Sequence, residues 1–384
     1  MKTVEFSIYA AAMLAVAGLV TVTVPAMARA SAPDVRSVDV APAASAQARA
    51  ARGIPNARRR SSRRPNRLYA YAFVSSYYDD NVFDYSDADR AQFQSATVPL
   101  SRFPISNLSD VVTNVSGRLN YLWNARRRSN WRARLSYNGH FYTNNGEKTY
   151  HEFEGSLRRK KRRGLVELAV GITPDYYLRH LYWRGSLGPP PGVKYAPASM
   201  ARYVVALRGR RRLSRRWAID VRGRFARRNY AAPFDERDNS TWTIGAGPVV
   251  RVSRRVEVDG RLALGFSSAA GANSTDPAAA DISNNRLTVR TGMTWRMSRR
   301  VRLEEGVGYS HQRYTTGRVT DTYHYNRKDD EYWWHNELTL PRQGKVQPKV
   351  FFNYRRSSTT TEPGVADVGQ YTGSRFGAQL TMYL

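Results

Sequence analysis

Residues 252–266 read VSRRVEVDGRLALGF, and two other stretches repeat the plan: LSRRWAIDVRGRF from Leu213 and MSRRVRLEEGVGY from Met297. Each places a Ser-Arg-Arg triplet before a run in which every second residue is apolar. In the first copy Val256, Val258, Gly260, Leu262, Leu264 and Phe266 fall on one side. Glu257, Asp259, Arg261, Ala263, Gly265 and Ser267 fall on the other. An extended strand sends successive side chains to opposite faces, so one face is apolar and the other charged. Recurrence at roughly forty residues points to one supersecondary unit used repeatedly.

The same division appears from Trp217 to Phe225 and from Trp131 to Phe141. It returns in Val115–Trp123, Val166–Ile172, Leu287–Met297 and Phe376–Leu384. Short basic corners lie at Arg126–Asn130, Arg158–Gly164, Arg210–Arg216, Ser253–Arg255, Ser298–Arg300 and Arg342–Lys345. Longer polar links start at Asp79, Leu181, Phe234, Ser267 and Ser358. Strands of about ten residues with alternating short and long connections are the signature of a transmembrane antiparallel up-and-down β-barrel. Six short corners plus the two end strands give an even count, about fourteen strands. A propeller would need four strands per repeat, and a soluble barrel would bury its apolar face inside. The expected fold is therefore all-β, with the apolar face to lipid and the polar face to a wet lumen.

The chain has 384 residues, no cysteine and a formal net charge of +30. Such a charge first suggests a polyanionic partner. The basic residues, however, are spread through every corner and along one face of every strand instead of forming one patch, and nucleic acid is not the expected partner. Residues 1–30 have the layout of a signal peptide: Lys2, an apolar stretch from Ile8 to Val24, Pro25 and then AMARA. No later stretch approaches a helical membrane span. Residues 31–67 are rich in Ala, Ser, Pro and Arg without apolar periodicity, and read as a disordered basic periplasmic arm. The barrel is expected over 68–384, in a bacterial outer membrane. Its short corners would be periplasmic, with Ser253-Arg254-Arg255 at the level of anionic lipid headgroups.

YAYAFVSSYYDDNVFDYSDADR, residues 69–90, resembles the opening of outer-membrane β-barrel porins, an aromatic strand followed by a DDNVF-like motif. DYYLRHLYW from Asp175 is similar to a strand end of that group. Barrel domains of surface-lipoprotein assembly modifiers open with a related Asp-Asn motif, but they carry helical repeats upstream that residues 31–67 do not supply. The last strand, RFGAQLTMYL, resembles the terminal strand of outer-membrane barrels, which the barrel-assembly machinery reads; it ends Tyr383-Leu384 where most members end in Phe. The resemblance implies an outer-membrane barrel with a channel or export role.

By alternation the lumen face carries Arg118, Arg132, Arg134, Arg222, Arg224, Arg261, Arg286, Arg290, Arg296, Arg302 and Arg355. Glu152, Glu154, Glu167, Asp220, Glu257, Asp259 and Glu304 share it. Arginine stays charged at any working pH, so an excess of it in a passage attracts anions, while part of it pairs with carboxylates across strands. Asp79, Asp80 and Asn81 form an outer-mouth motif that accepts backbone donors and fixes the first loop. With Asp84, Asp87 and Asp89 they make an acidic cluster that could bridge lipopolysaccharide through cations, although turn chemistry is the better reading and no metal site is expected.

No nucleophile elbow, Walker loop or HExxH helix is present, and no cofactor is implied. His140 alternates with Ser136 and Asn138, and His311 follows Ser310, as neighbours in a polar lumen will by chance. The aromatics of YWWHNE, Tyr332–Glu337, read as an interfacial girdle. The expected function is a porin-like channel, not an enzyme, for passive passage of small anionic solutes. The alternatives are an export or assembly barrel for polysaccharide or surface lipoprotein, and a structural or adhesion barrel. Outer-membrane lipids and lipopolysaccharide, the assembly machinery and small solutes are the expected partners.

Overall fold

In the computed structural model the first strand, β1 (Arg67–Asp79), hydrogen-bonds to its successor on one side and to the last strand on the other. That double pairing closes the sheet. The structure describes residues 66–95, 103, 105, 107–126, 129–183, 194–274, 280–321, 323–361 and 370–383. The segment read as a signal peptide and nearly all of the basic arm lie outside them. The strands that follow are β2 (Asp110–Arg126), β3 (Ser129–Tyr142), β4 (Tyr150–Lys161), β5 (Gly164–Trp183) and β6 (Lys194–Arg212). Next come β7 (Trp217–Tyr230), β8 (Asn239–Arg251), β9 (Val256–Ala269), β10 (Asn284–Trp295) and β11 (Arg302–Tyr314). β12 (Lys328–Thr339), β13 (Val346–Thr360) and β14 (Tyr371–Tyr383) complete the ring. All fourteen are antiparallel to both neighbours, which is the predicted up-and-down topology.

Each of the six basic corners connects two strands at one end of the barrel, and the longer links gather at the other. The repeated Ser-Arg-Arg owes its serine to turn chemistry. Ser214 Oγ accepts hydrogen bonds from the backbone N–H groups of Arg216 and Trp217, each at 3.1 Å. Ser253 does the same for Arg255 and Val256 at 3.0 Å, and Ser298 for Arg300 and Val301 at 3.1 Å. A hydroxyl two and three residues ahead of the returning strand thus takes over donors that the sheet has not yet paired.

The outer face of the barrel is apolar and open. Leu135, Trp242 and Ile244 are each 60–64% exposed, and Leu207, Leu262, Val170 and Phe266 are more than half exposed. A continuous belt of this kind around a closed sheet is stable against hydrocarbon, not water. Aromatic pairs mark both borders. Trp123 stacks on Trp131 at 6.0 Å near the short turns, while Phe225–Trp242 at 4.5 Å and Tyr78–Phe376 at 5.9 Å lie towards the loops. The protein is a membrane-spanning β-barrel.

One reading of the sequence changes in its bounds. The link that starts at Leu181 is shorter at both ends than the sequence suggested: β5 runs to Trp183 and β6 begins at Lys194, past register shifts between Thr173 and Arg179, and residues 184–193 lie outside the described residues. Part of the first loop, between β1 and β2, folds into the barrel.

Candidate functional site

The first loop enters the barrel because its apolar residues are answered by apolar residues on the inner wall. Val82, Phe83, Tyr85 and Phe103 of the loop are buried with Tyr77 of β1, Val112 of β2, Tyr142 of β3 and Tyr150 of β4. Phe83 meets Tyr85 at 5.4 Å and Tyr177 at 6.2 Å, and Tyr85 meets Phe103 edge-on at 5.2 Å. The loop carries a short helix, α1 (Asp87–Ser95), whose start is capped by Ser86 Oγ accepting from the Asp89 N–H at 3.0 Å.

The outer-mouth motif is the hinge of this insertion. Asp79 Oδ1 accepts from the Asn81 N–H at 3.2 Å, and its other oxygen takes the Arg375 guanidinium at 2.8 Å. Asp80 continues the sheet by accepting from the Ser374 N–H at 2.8 Å and from its hydroxyl at 2.5 Å. Asn81 accepts from the Tyr85 N–H at 3.0 Å and donates to the Tyr85 carbonyl at 2.8 Å, replacing the missing strand partner with its own side-chain amide. At the tip of the turn Asp84 adopts a left-handed φ of 51°. Burial alone would raise its carboxyl, but Arg355, Arg375, Lys148 and Arg179 outweigh it and hold the group below the ordinary carboxylate range. Arg355 reaches it at 3.2 Å and Arg375 at 3.9 Å. The acidic residues are thus turned to arginine, and Asp87 faces Arg90 at 3.7 Å.

The second loop is anchored alongside. Asp110, at the start of β2, accepts from the backbone N–H groups of Thr143, Asn144 and Asn145 at 2.9–3.1 Å. Lys148 then buries its ammonium against the carbonyls of Tyr177 and Leu178, at 3.1 and 2.8 Å, and over the rings of Phe83 and Tyr176 at 5.0 Å. Neither Asp110 nor Lys148 carries a sequence signal beyond its type.

Away from the folded-in loop, toward the short turns, lies a cavity of about 450 Å³. Fourteen arginines and seven carboxylates border it. Among them are the sequence-predicted Arg118, Arg134, Arg222, Arg224, Arg261, Arg290, Arg296 and Arg302, with Glu152, Glu154, Glu257 and Asp259. Arg132 shares the inward register, opposite Arg158, and does not border it. Arg286 and Arg355 line a second cavity of about 290 Å³, together with Phe83 and Asp84 of the first loop. Six bordering arginines were not assigned to the lumen from sequence: Arg202, Arg208 and Arg210 of β6, and Arg251, Arg254 and Arg255 around the corner between β8 and β9. In β6 the run RGRRR hides the alternation that pairing with β7 restores. The turn Ser253-Arg254-Arg255 also borders the cavity at its short-turn end.

Pairing engages five of these carboxylates. Glu152 takes Arg202 at 2.6 Å, Glu167 takes Arg158 at 2.8 Å, and Glu257 takes Arg210 at 3.0 Å. Asp220 is shared by Arg208 and Arg222, both at 2.7 Å, and Glu304 meets Arg302 at 2.7 Å. Arg261, Arg290 and Arg296 make no ion pair among the described residues. Arg261 and Arg290 are direct cross-strand partners, and Arg222 adds to their repulsion.

The histidines are otherwise engaged. His140 lies 3.5 Å from Glu152 and against the Tyr150 ring at 3.9 Å. Ser310 points inward to Thr288 at 3.3 Å, while His311, next in sequence, sits on the outer face beside Asp330 at 2.9 Å. Alternation also splits YWWHNE: Trp334 faces outward, and Trp333 faces inward over Gly308, where a Cβ would collide with the indole.

No protein-family model matches the chain, and no curated protein matches it. Among solved structures it is similar to the outer membrane channel DcaP of Acinetobacter baumannii, at 12% identity and a TM-score of 0.44, over 83% of this chain and 97% of that one. It is similar to a Pseudomonas aeruginosa FadL homologue at 13% identity and 0.41, over 82% and 90%. It is also similar to a bacterial polysaccharide outer membrane secretin at 8% identity and 0.41, over 82% and 98%. The chain is a closed antiparallel β-barrel with an apolar outer face. The likenesses concern the course of the barrel.

Proposed function

We propose that the protein is an outer-membrane channel through which small anionic solutes pass down their gradient. The observation that carries this reading is the two-to-one ratio of arginines to carboxylates around the central cavity. Once each carboxylate is neutralised, seven cationic charges are left in a narrow, partly desolvated passage, where fields are weakly screened. Anions are drawn in and cations turned away. Arg261 and Arg290 form a positive stretch of the wall, directly opposed across β9 and β10 and without an ion pair among the described residues.

The first loop sets how wide the passage is. It narrows the loop end with aromatic residues and leaves Asp84 pinned between arginines beside the second cavity. A conduit fits the wall better than a Ser-His catalyst, since Ser310 and His311 face opposite sides of it.

Purified full-length protein in planar phosphatidylcholine bilayers tests the proposal. Discrete conductance steps are expected with chloride as the mobile anion, falling when chloride is replaced by a large organic anion. A natively folded barrel that gives silent bilayers contradicts it.

A further inference from the structure

On the outer face of β11, β12 and β13, close to the loops, the register places Arg313 directly opposite Lys328. Both side chains are exposed, and neither has an ion-pair partner among the described residues. Like charges in directly opposed positions are destabilising, so the pair calls for an anion from outside the chain. A different outward cation near the loops, Arg227 of β7, shows the contrast, since Asp238 satisfies it at 2.8 Å.

What lies below the two cations identifies the anion's carrier. Two residues down the strands, Asp330 is hydrogen-bonded by the Tyr309 hydroxyl and by His311 at 2.9 Å, and makes no ion pair with the cations above. In the next row Tyr332, 53% exposed, packs against Tyr309 at 5.0 Å and faces Arg356 across the sheet. Further down Trp334 is 42% exposed and meets Phe352 at 5.8 Å. A soluble anion would gain nothing from this aromatic shelf. An amphiphile with a phosphorylated head and acyl chains fits both parts, its phosphate between Arg313 and Lys328 and its chains along Tyr332 and Trp334. Arg356 has a stem long enough to lift its guanidinium from the shelf toward the head.

We propose that this face is a binding site for a phosphorylated glycolipid of the outer leaflet. The assignment rests on the outer-membrane reading, in which the long loops face outside. It is independent of what the lumen conducts.

The test uses the full-length barrel in detergent, mixed with lipid A carrying its phosphates or with the same lipid dephosphorylated, and mass-resolved protein–lipid complexes as the readout. The wild type is expected to retain the phosphorylated form about tenfold more than the other. The double variant Arg313→Gln/Lys328→Gln should lose that preference, Arg356→Gln should reduce it, and Arg227→Gln should keep it. Heat-modifiable migration on gels checks that each variant is folded. Equal retention of the two lipids by the wild type, or an undiminished preference in the double variant, overturns the proposal. Conductance in bilayers lacking the glycolipid separates the two readings: a conducting barrel without lipid preference sinks this site alone, and a silent barrel with the preference sinks the channel alone.

Discussion

Arg261 of β9 stands directly opposite Arg290 of β10 on the inner wall, and neither is ion-paired among the described residues. Opposed like charges cost a sheet stability, roughly 0.2–1 kcal/mol per pair. The barrel carries that cost in the middle of its lumen. Arg261→Gln or Arg290→Gln is therefore expected to leave stability unchanged or to raise it by up to about 1 kcal/mol, measured as the urea midpoint of folding into lipid vesicles. The same variants should weaken anion preference. Loss of stability without change in selectivity would place these arginines in a structural role.

Asp79 presents the opposite case. Its carboxylate is 1% exposed and takes the buried Arg375 at 2.8 Å. Asp79→Ala removes the main counter-charge of a desolvated guanidinium and should destabilise the barrel by roughly 2–4 kcal/mol, again read from the folding midpoint. Asp79→Asn, which keeps the acceptor for the Asn81 N–H, should cost less.

The hold on the first loop should depend on pH in one direction. The Asp84 carboxyl lies below its ordinary value of 3.8 in the folded protein. A group depressed on folding contributes stability at all pH values above its unfolded pKa and loses it as pH falls through the folded one. Lowering the pH from 7 to about 5 should leave the open-channel current steady, and loop release should set in only below the ordinary carboxylate range. Asp84→Asn should show the acid behaviour, noisier current with wider steps, already at pH 7. A transition near pH 6 in the wild type would point to a histidine instead.

The three Ser-Arg-Arg turns make a modest prediction. Each serine hydroxyl accepts two backbone N–H groups at the exposed end of the barrel, where water can replace it. Ser253→Ala should cost no more than about 1 kcal/mol, and the conductance should not move. A larger loss would show that the turn directs strand pairing during folding.

Gly308→Ala should be far more damaging than its size suggests. Trp333 lies over Gly308 so closely that a methyl group collides with the indole. Displacing a ring on the inner wall costs roughly 1–3 kcal/mol, and the pair variant Gly308→Ala/Trp333→Leu should recover much of it.

The barrel was legible because a strand's two-residue period and the alternation of short and long connections are properties of adjacent residues. The corners at Arg210–Arg216, Ser253–Arg255 and Ser298–Arg300 needed no knowledge of neighbours. The inner wall was legible where the alternation was clean, as in Glu257-Val258-Asp259, and hidden where RGRRR at 208–212 put arginine at four of five successive positions. Pairing is different in kind. That Asp220 satisfies both Arg208 and Arg222, or that Asp84 meets arginines nearly 300 positions later, depends on register around the ring. The folded-in first loop was missed for the same reason: Val82, Phe83 and Tyr85 are apolar enough to be buried, but only the inner faces of β1 to β4 show where.

The claim on which the account turns is that the excess of arginine makes the passage anion-selective. Its most direct test is the zero-current potential of single channels in bilayers separating potassium chloride solutions of about tenfold different concentration. The account predicts a sign that reports chloride as the preferred ion, reduced in Arg261→Gln/Arg290→Gln. A potential near zero, or one of the sign set by potassium, would contradict it.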